Sequence, residues 1–173
     1  MLVSESNAVS VCSAVAQVYI SIGSNIDRKK NIASSMSALE EEFGEVQRSS
    51  IWRTAAVGFE GDSFYNLVVQ FDTALEPLAL AGVLRRIEDD HGRVRDGVKF
   101  GSRSLDLDLL LYDDLILDEP NLKLPRSEIM KYAFVLRPLA EIAGSKKHPV
   151  SGVSFSNLWY QFDSSSQPMW PVE

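Results

Sequence analysis

From Arg103 to Tyr112 the chain reads Arg-Ser-Leu-Asp-Leu-Asp-Leu-Leu-Leu-Tyr. Leu105, Leu107, Leu109 and Leu111 alternate with Asp106 and Asp108. Period two is the strand period, so the leucines are expected on one face and both aspartates on the other. Side chains two apart on a strand sit roughly 7 Å apart. Two carboxylates at that distance repel by about 2 kcal/mol at an effective dielectric near 20. A bridging cation turns that cost into a gain, and Mg²⁺ binds through one or two carboxylates plus substrate phosphates. The same spacing also suits a strand with a solvated acidic face, although Asp is depleted in strands.

Working outward, residues 93–102 hold Arg93, Arg95 and Lys99 among glycines, with Arg103 just beyond. A locally basic loop beside two carboxylates suits a polyphosphate, because guanidinium groups match phosphate oxygens and stay charged. Before this loop, Pro77 opens a helix in the position where its missing N–H costs nothing. Leu80, Leu84, Ile87 and His91 follow at helical spacing, and Gly92 ends it, so His91 reads as a helix-end residue.

Earlier still, residues 17–22 alternate as a strand, and Gly23-Ser24-Asn25 turns the chain into an amphipathic helix over 27–43, stopped by Gly44. Residues 46–54 and 64–73 read as two strands joined by a glycine-bearing loop, 55–63. After the aspartate strand, Asp113-Asp114 reads as a turn before a short strand at 115–117. A helical turn is expected at 125–131, a short helix within 134–143 after Pro138, and a helix over 154–162. The order β-α-β-β-α-β predicts an α/β (α+β) ferredoxin-like core, a mostly antiparallel sheet with helices on both faces.

With 173 residues, one domain is expected over 17–163, between a flexible N-terminal tail (1–16) and a C-terminal tail (164–173). The single Cys12 forms no internal disulfide, which fits a reducing compartment and a cytoplasmic protein. Two separated histidines disfavour zinc. A net charge of −7 argues against nucleic-acid binding, and no apolar run reaches membrane-spanning length. A monomer acting on small molecules is expected. Phe64, Phe100 and Phe134 sit at loop or element ends, where two rings can clamp a flat heterocycle. Asn66, two residues after Phe64, offers a donor and an acceptor to a ring edge.

These residues resemble the 6-hydroxymethyl-7,8-dihydropterin pyrophosphokinase family. The resemblance runs from about Val18 to Pro149. It is carried by Ile22-Gly23-Ser24-Asn25, Trp52-Arg53-Thr54, Phe64-Tyr65-Asn66 and Ile87-Glu88 with Gly92-Arg93-Val94-Arg95. Arg103-Ser104-Leu105-Asp106-Leu107-Asp108 and Phe134-Val135-Leu136 with Pro138-Leu139 complete it. It implies ATP as donor, two Mg²⁺ ions, and diphosphoryl transfer to the pterin hydroxymethyl group with release of AMP. It implies Asp106 and Asp108 as metal ligands, with Arg93, Arg95 and Arg103 as catalytic phosphate contacts. Thr54, Ala55, Val57, Phe64, Asn66, Phe100 and Phe134 would bind the pterin. Glu88, Arg95, Arg103, Leu109, Lys123 and Arg126 would lie on the ATP side.

The sequence departs from the family pattern on that ATP side. Arg126 stands where the family has a histidine, Ser127 where proline or an aromatic is common, and Tyr132 in place of an arginine. Asp96 and Ser102 replace a basic residue and a proline. Arg126, with Lys123 or Lys131, is expected to take over phosphate contact. A pterin-binding paralogue with weak or no turnover is the alternative. A two-metal cyclase and a plain interaction module are further readings of the aspartates alone.

Overall fold

A computed structural model describes residues 14–92 and 102–173. Arg93, Arg95, Lys99 and Phe100, and with them the expected basic loop, lie outside the described residues, as does Cys12.

In chain order the elements are β1 (Ala16–Ser24), α1 (Arg28–Phe43), β2 (Gln47–Arg48), β3 (Trp52–Thr54), β4 (Phe64–Thr73) and α2 (Pro77–Asp90). Then follow β5 (Asp106–Tyr112), β6 (Leu117–Glu119), β7 (Leu122–Leu124), a 3-10 turn (Ser127–Met130), α3 (Ala133–Ala143), α4 (Phe155–Gln161) and β8 (Met169–Pro171). The main sheet runs β5-β1-β4-β3-β8, with β2 also on β4, and every pairing is antiparallel.

Helices cover both faces of this sheet. Ile32 and Leu39 of α1 and Leu80, Leu84 and Ile87 of α2 pack on Val18, Ile20, Ile22, Leu67, Val69, Phe71, Leu105, Leu107 and Leu109. On the other face, Val135, Leu136 and Leu139 of α3 and Phe155 and Leu158 of α4 pack on Tyr19, Val68, Leu110 and Leu111. Burial of such aliphatic side chains, each contributing about 1.5–3 kcal/mol, holds the three layers together.

Several expected elements differ. The strand expected over 46–54 is split, because Ser49 interrupts it. The Ser49 N–H donates to the Val68 carbonyl (2.9 Å), while the Ser49 hydroxyl accepts from the Val68 N–H (3.0 Å), so a side chain does a backbone's work there. The short strand expected at 115–117 is instead a hairpin of β6 and β7 around Pro120-Asn121. α3 starts at Ala133 and runs through Pro138, whose missing N–H costs one bond to the Phe134 carbonyl. Ala16 is 4% exposed in β1, so the first strand starts inside the expected tail. At the other end, β8 lies within residues 164–173: it pairs with β3, and the Val172 N–H donates to the Ile51 carbonyl (2.9 Å). The C-terminal segment is therefore part of the sheet.

The aspartate strand pairs with β1 as an edge strand and carries a bulge. Tyr19 faces Leu111 and Ile20 faces Leu109, leaving Leu110 as the extra residue. Up to Leu109 the alternation holds. Beyond it, Leu111 moves to the α3 side, so the four leucines do not share one face.

Candidate active site

The α3 face of the sheet is covered only at one end. Past the start of α3, the same face opens into a cavity of about 430 Å³, within the usual size range for small-molecule sites. The register lays the floor in one row: Asp106 on β5 opposes Gly23 on β1, and Gly23 opposes Asn66 on β4. One pleat along, Asp108 opposes Ser21. Ser21, Gly23, Asn66, Asp106, Asp108 and Leu110 all line the cavity, as period-two alternation requires. Gly23 keeps this floor open. A Cβ there would stand 3.3 Å from Asn66 Oδ1 and 3.9 Å from Phe64 Cδ1.

At the acidic end each carboxylate meets an arginine. Arg103 Nη1 lies 2.5 Å from Asp106 Oδ2, and Arg126 Nη2 lies 2.9 Å from Asp108 Oδ1. Glu128 and Lys131 complete that rim. The turn after β1 holds Arg103 in place. Asn25 accepts the Arg103 N–H (2.7 Å), the Arg103 carbonyl accepts the Asn25 N–H (3.1 Å), and the Ser24 hydroxyl donates to the Ser104 carbonyl (2.5 Å). Gly23-Ser24-Asn25 thus shapes the bend and fastens Arg103 to it. Among the described residues no group of three or more His, Cys, Asp or Glu converges. Two carboxylates aimed into one cavity, with room beside them, fit Mg²⁺ completed by phosphate oxygens rather than zinc.

The other end is aromatic and neutral. Asn66, 6% exposed, donates from Nδ2 to Thr54 Oγ1 at 2.9 Å, which fixes the orientation of its carboxamide. Thr54, Ala55, Val57, Phe59 and Phe64 form one wall, and Tyr132, Phe134 and Val135 at the start of α3 form another. Phe59 meets Phe64 edge-on, with centroids 6.2 Å apart. Tyr132 stacks on Phe134, with centroids 5.0 Å apart and planes 18° apart.

Of the residues singled out from sequence, Thr54, Ala55, Val57, Phe64, Asn66, Arg103, Asp106, Asp108, Arg126 and Phe134 all line this one cavity. Three do not. Leu109 is 3% exposed on the α1–α2 side of β5, and Leu110, on the same face as Asp106 and Asp108, takes the cavity position. Lys123 lies between the buried Leu122 and Leu124, so it points outward and pairs with Asp118 across the hairpin at 2.7 Å. Glu88 is 5% exposed within α2, and its Oε1 accepts the Leu107 N–H at 2.7 Å. That N–H faces outward from an edge strand, so a buried carboxylate caps it.

Sequence reasoning missed Ser21, Phe59, Leu110, Glu128 and Val135, and met Gly23 and Tyr132 without giving them a site role. Ser21 is two residues from Gly23, so strand period would have found it. Phe59, an aromatic between Gly58 and Gly61, was the other available signal.

A sequence profile for "7,8-dihydro-6-hydroxymethylpterin-pyrophosphokinase (HPPK)" matches residues 19–144. The chain belongs to the HPPK family. It is 37% identical over 139 residues to the Pseudomonas aeruginosa 2-amino-4-hydroxy-6-hydroxymethyldihydropteridine pyrophosphokinase, covering 78% of this chain and 85% of that relative. The Aquifex aeolicus protein of the same name is 35% identical over 139 residues, covering 79% and 86%. Against the Pneumocystis carinii folic acid synthesis protein fol1, identity is 32% over 158 residues, spanning 89% of this chain but 21% of that protein. A solved Plasmodium falciparum HPPK-DHPS superposes with a TM-score of 0.69 at 13% identity, over 86% of this chain and 43% of that one, which shows the fold alone. The HPPK match takes in every cavity-lining residue and stops before α4 and β8.

Proposed function

We propose that the protein transfers a diphosphoryl group from ATP to the hydroxymethyl group of 6-hydroxymethyl-7,8-dihydropterin and releases AMP, a step of folate synthesis. The observation that carries this reading is the two-ended cavity. Asp106 and Asp108 open into the same space as Asn66, Phe64 and Phe134, so a polyphosphate and a flat ring can meet there.

In the proposed reaction the hydroxymethyl oxygen bonds to the β-phosphorus of ATP. The bond from that phosphorus to the α–β bridging oxygen breaks, AMP leaves, and the hydroxyl proton passes to solvent. Asp106 and Asp108 would hold two Mg²⁺ ions, whose contribution when bound is to neutralise phosphate charge. Arg103 and Arg126 are tethered at the carboxylates, 2.5 and 2.9 Å away. Each presents a guanidinium beside the phosphate site and can stabilise charge on the transferring group and on AMP. Lys131 adds positive charge on the same rim, and Arg93 and Arg95 are expected to contact the phosphates. Asn66 reads the ring edge, while Phe64 and Phe134 stack on the ring and exclude water. A loose phosphoryl transition state asks little of a protein base.

The strand order β5-β1-β4-β3 with α1 and α2 on one face supports a ferredoxin-like core within a single catalytic domain. The net charge of −7 supports a protein of small-molecule partners without nucleic acid. No helix among the described residues is long and apolar enough to cross a membrane. A monomer in the cytoplasm completes the reading. The second reading, a pterin binder with weak turnover, is favoured by one observation: Ser127 and Tyr132 stand where the family carries other side chains, and the Tyr132 ring joins the Phe134 platform rather than adding a positive charge. AMP release separates the two. The proposal expects AMP only when ATP, the dihydropterin and Mg²⁺ are all present. Dihydropterin binding without AMP release would leave the second reading standing.

A further inference from the structure

The last ten residues lie beyond the HPPK match, yet they tie the two walls of the ring-binding end together. The Gln167 carboxamide spans Tyr132. Its Nε2 donates to the Lys131 carbonyl at 3.0 Å, and its Oε1 accepts the Ala133 N–H at 2.8 Å. Tyr132 is the N-cap residue of α3 and makes no side-chain cap bond. The Ala133 N–H is one of the four donors that a helix start leaves without an intrahelical partner. Gln167, 34 residues away in sequence, supplies an acceptor for that first donor, one that a side chain at position 132 itself would not reach.

Gln167 is itself fixed from both sides. Its N–H donates to the Ser164 carbonyl at 2.9 Å. Two residues later β8 begins, and there Met169 pairs with Thr54. Thr54 in turn accepts the Asn66 carboxamide. A continuous path therefore runs from Asn66 and Thr54, through β8 and Gln167, to the stacked rings of Tyr132 and Phe134.

We propose that Gln167 is a positioning residue: it fixes the Tyr132–Phe134 stack and thereby sets affinity for the flat heterocycle, without touching it. This rests on the pterin reading above. Gln167 is partly exposed, and its loss leaves the core layers intact, so Gln167→Ala should fold. Two lost hydrogen bonds should cost pterin binding rather than chemistry, with a rise of roughly tenfold in the Kd and KM for the dihydropterin.

The test compares wild type, Gln167→Ala and Gln167→Glu. Binding of 6-hydroxymethyl-7,8-dihydropterin is titrated without ATP, steady-state constants are measured with ATP and Mg²⁺, and amide exchange at Ala133 is followed by NMR. Expected for Gln167→Ala are weaker pterin binding, kcat and the ATP KM within about twofold, and faster Ala133 exchange. Gln167→Glu keeps the acceptor for Ala133 and should restore protection there and part of the affinity. An unchanged pterin Kd in Gln167→Ala overturns the proposal, and so does an equal loss of pterin and ATP affinity with a lowered Tm. If wild type binds no pterin, the substrate reading fails. The positioning claim is then judged by Ala133 exchange and the Tyr132 and Phe134 ring shifts, and unchanged values overturn it.

Discussion

Asp108→Asn is close to isosteric, so it isolates one negative charge. In the fold, Asp108 pairs with Arg126 at 2.9 Å, with both side chains about one-third exposed (31% and 32%). Two unit charges 4 Å apart attract by about 4 kcal/mol at an effective dielectric of 20. Desolvation and solvent screening reduce such a half-open pair to about 1 kcal/mol or less. The expected loss in Tm is therefore about 2–4 °C at most for a domain of this size. In the proposed reaction the same charge would act on a dication, which doubles the gross attraction to about 8 kcal/mol. Desolvation takes back about half, leaving about 4 kcal/mol, or about a thousandfold in kcat/KM at fixed Mg²⁺. The assay is AMP release against Mg²⁺ concentration, paired with thermal melts. A thousandfold loss with a nearly unchanged Tm is expected. Activity within tenfold of wild type, with the same Mg²⁺ dependence, would refute the assignment of Asp108 as a metal ligand.

Arg126→Ala should raise the ATP KM about tenfold and leave the dihydropterin KM unchanged, because a charged phosphate contact is worth about 1.5–3 kcal/mol at most; an unchanged ATP KM would remove Arg126 from phosphate binding. Gly23→Ala places a methyl group 3.3 Å from Asn66 Oδ1, so the dihydropterin KM should rise about tenfold while Tm moves by only a few degrees; equal effects on both substrates would argue against Gly23 as the ring-side floor. His148 is held by burial below its ordinary pKa of 6.5, and its Nδ1 accepts the N–H groups of Val150 and Ser151 at 3.2 Å each. The unfolded chain thus binds the extra proton first, and the contribution of His148, full above pH 6.5, is lost as pH falls through 6.5 toward the lowered folded value. His148→Asn keeps an acceptor and cannot titrate there, so its melts should lose less stability between pH 7.5 and 5.5 than wild-type melts do.

The residues that face the cavity were legible wherever the strand period was unambiguous. Asp106 and Asp108, and Phe64 with Asn66, alternate with apolar neighbours that can only face the core. The bulge at Leu110 was not legible, because a run of three leucines carries no contrast between faces. It moved Leu111 to the α3 side, whereas Leu109 keeps the leucine face, away from the aspartates, that the alternation itself gives. Lys123 was misplaced for a related reason: the hairpin turn at Pro120-Asn121 went unread, and with it the burial of Leu122 and Leu124 that turns the lysine outward. Glu88 illustrates a different limit. Nothing local marks a helix glutamate as the cap of an edge-strand N–H nineteen residues on.

The C-terminal segment was the least visible. Ser, Gln and Pro dominate it, and β8 is three residues long. Its role comes from pairing with β3 across more than a hundred residues, and no propensity encodes that. Tyr132 was noticed only as a departure on the ATP side. Its ring instead extends the Phe134 platform, a contact set by the chain direction at the start of α3.

The most direct test is the fate of the β- and γ-phosphates. With ATP labelled at both positions, and with the dihydropterin and Mg²⁺ present, both labels should move together onto the pterin, one equivalent per AMP formed. ADP as product, with only the γ-label transferred or released, would contradict a site built to pass a diphosphoryl group between the two ends of this cavity.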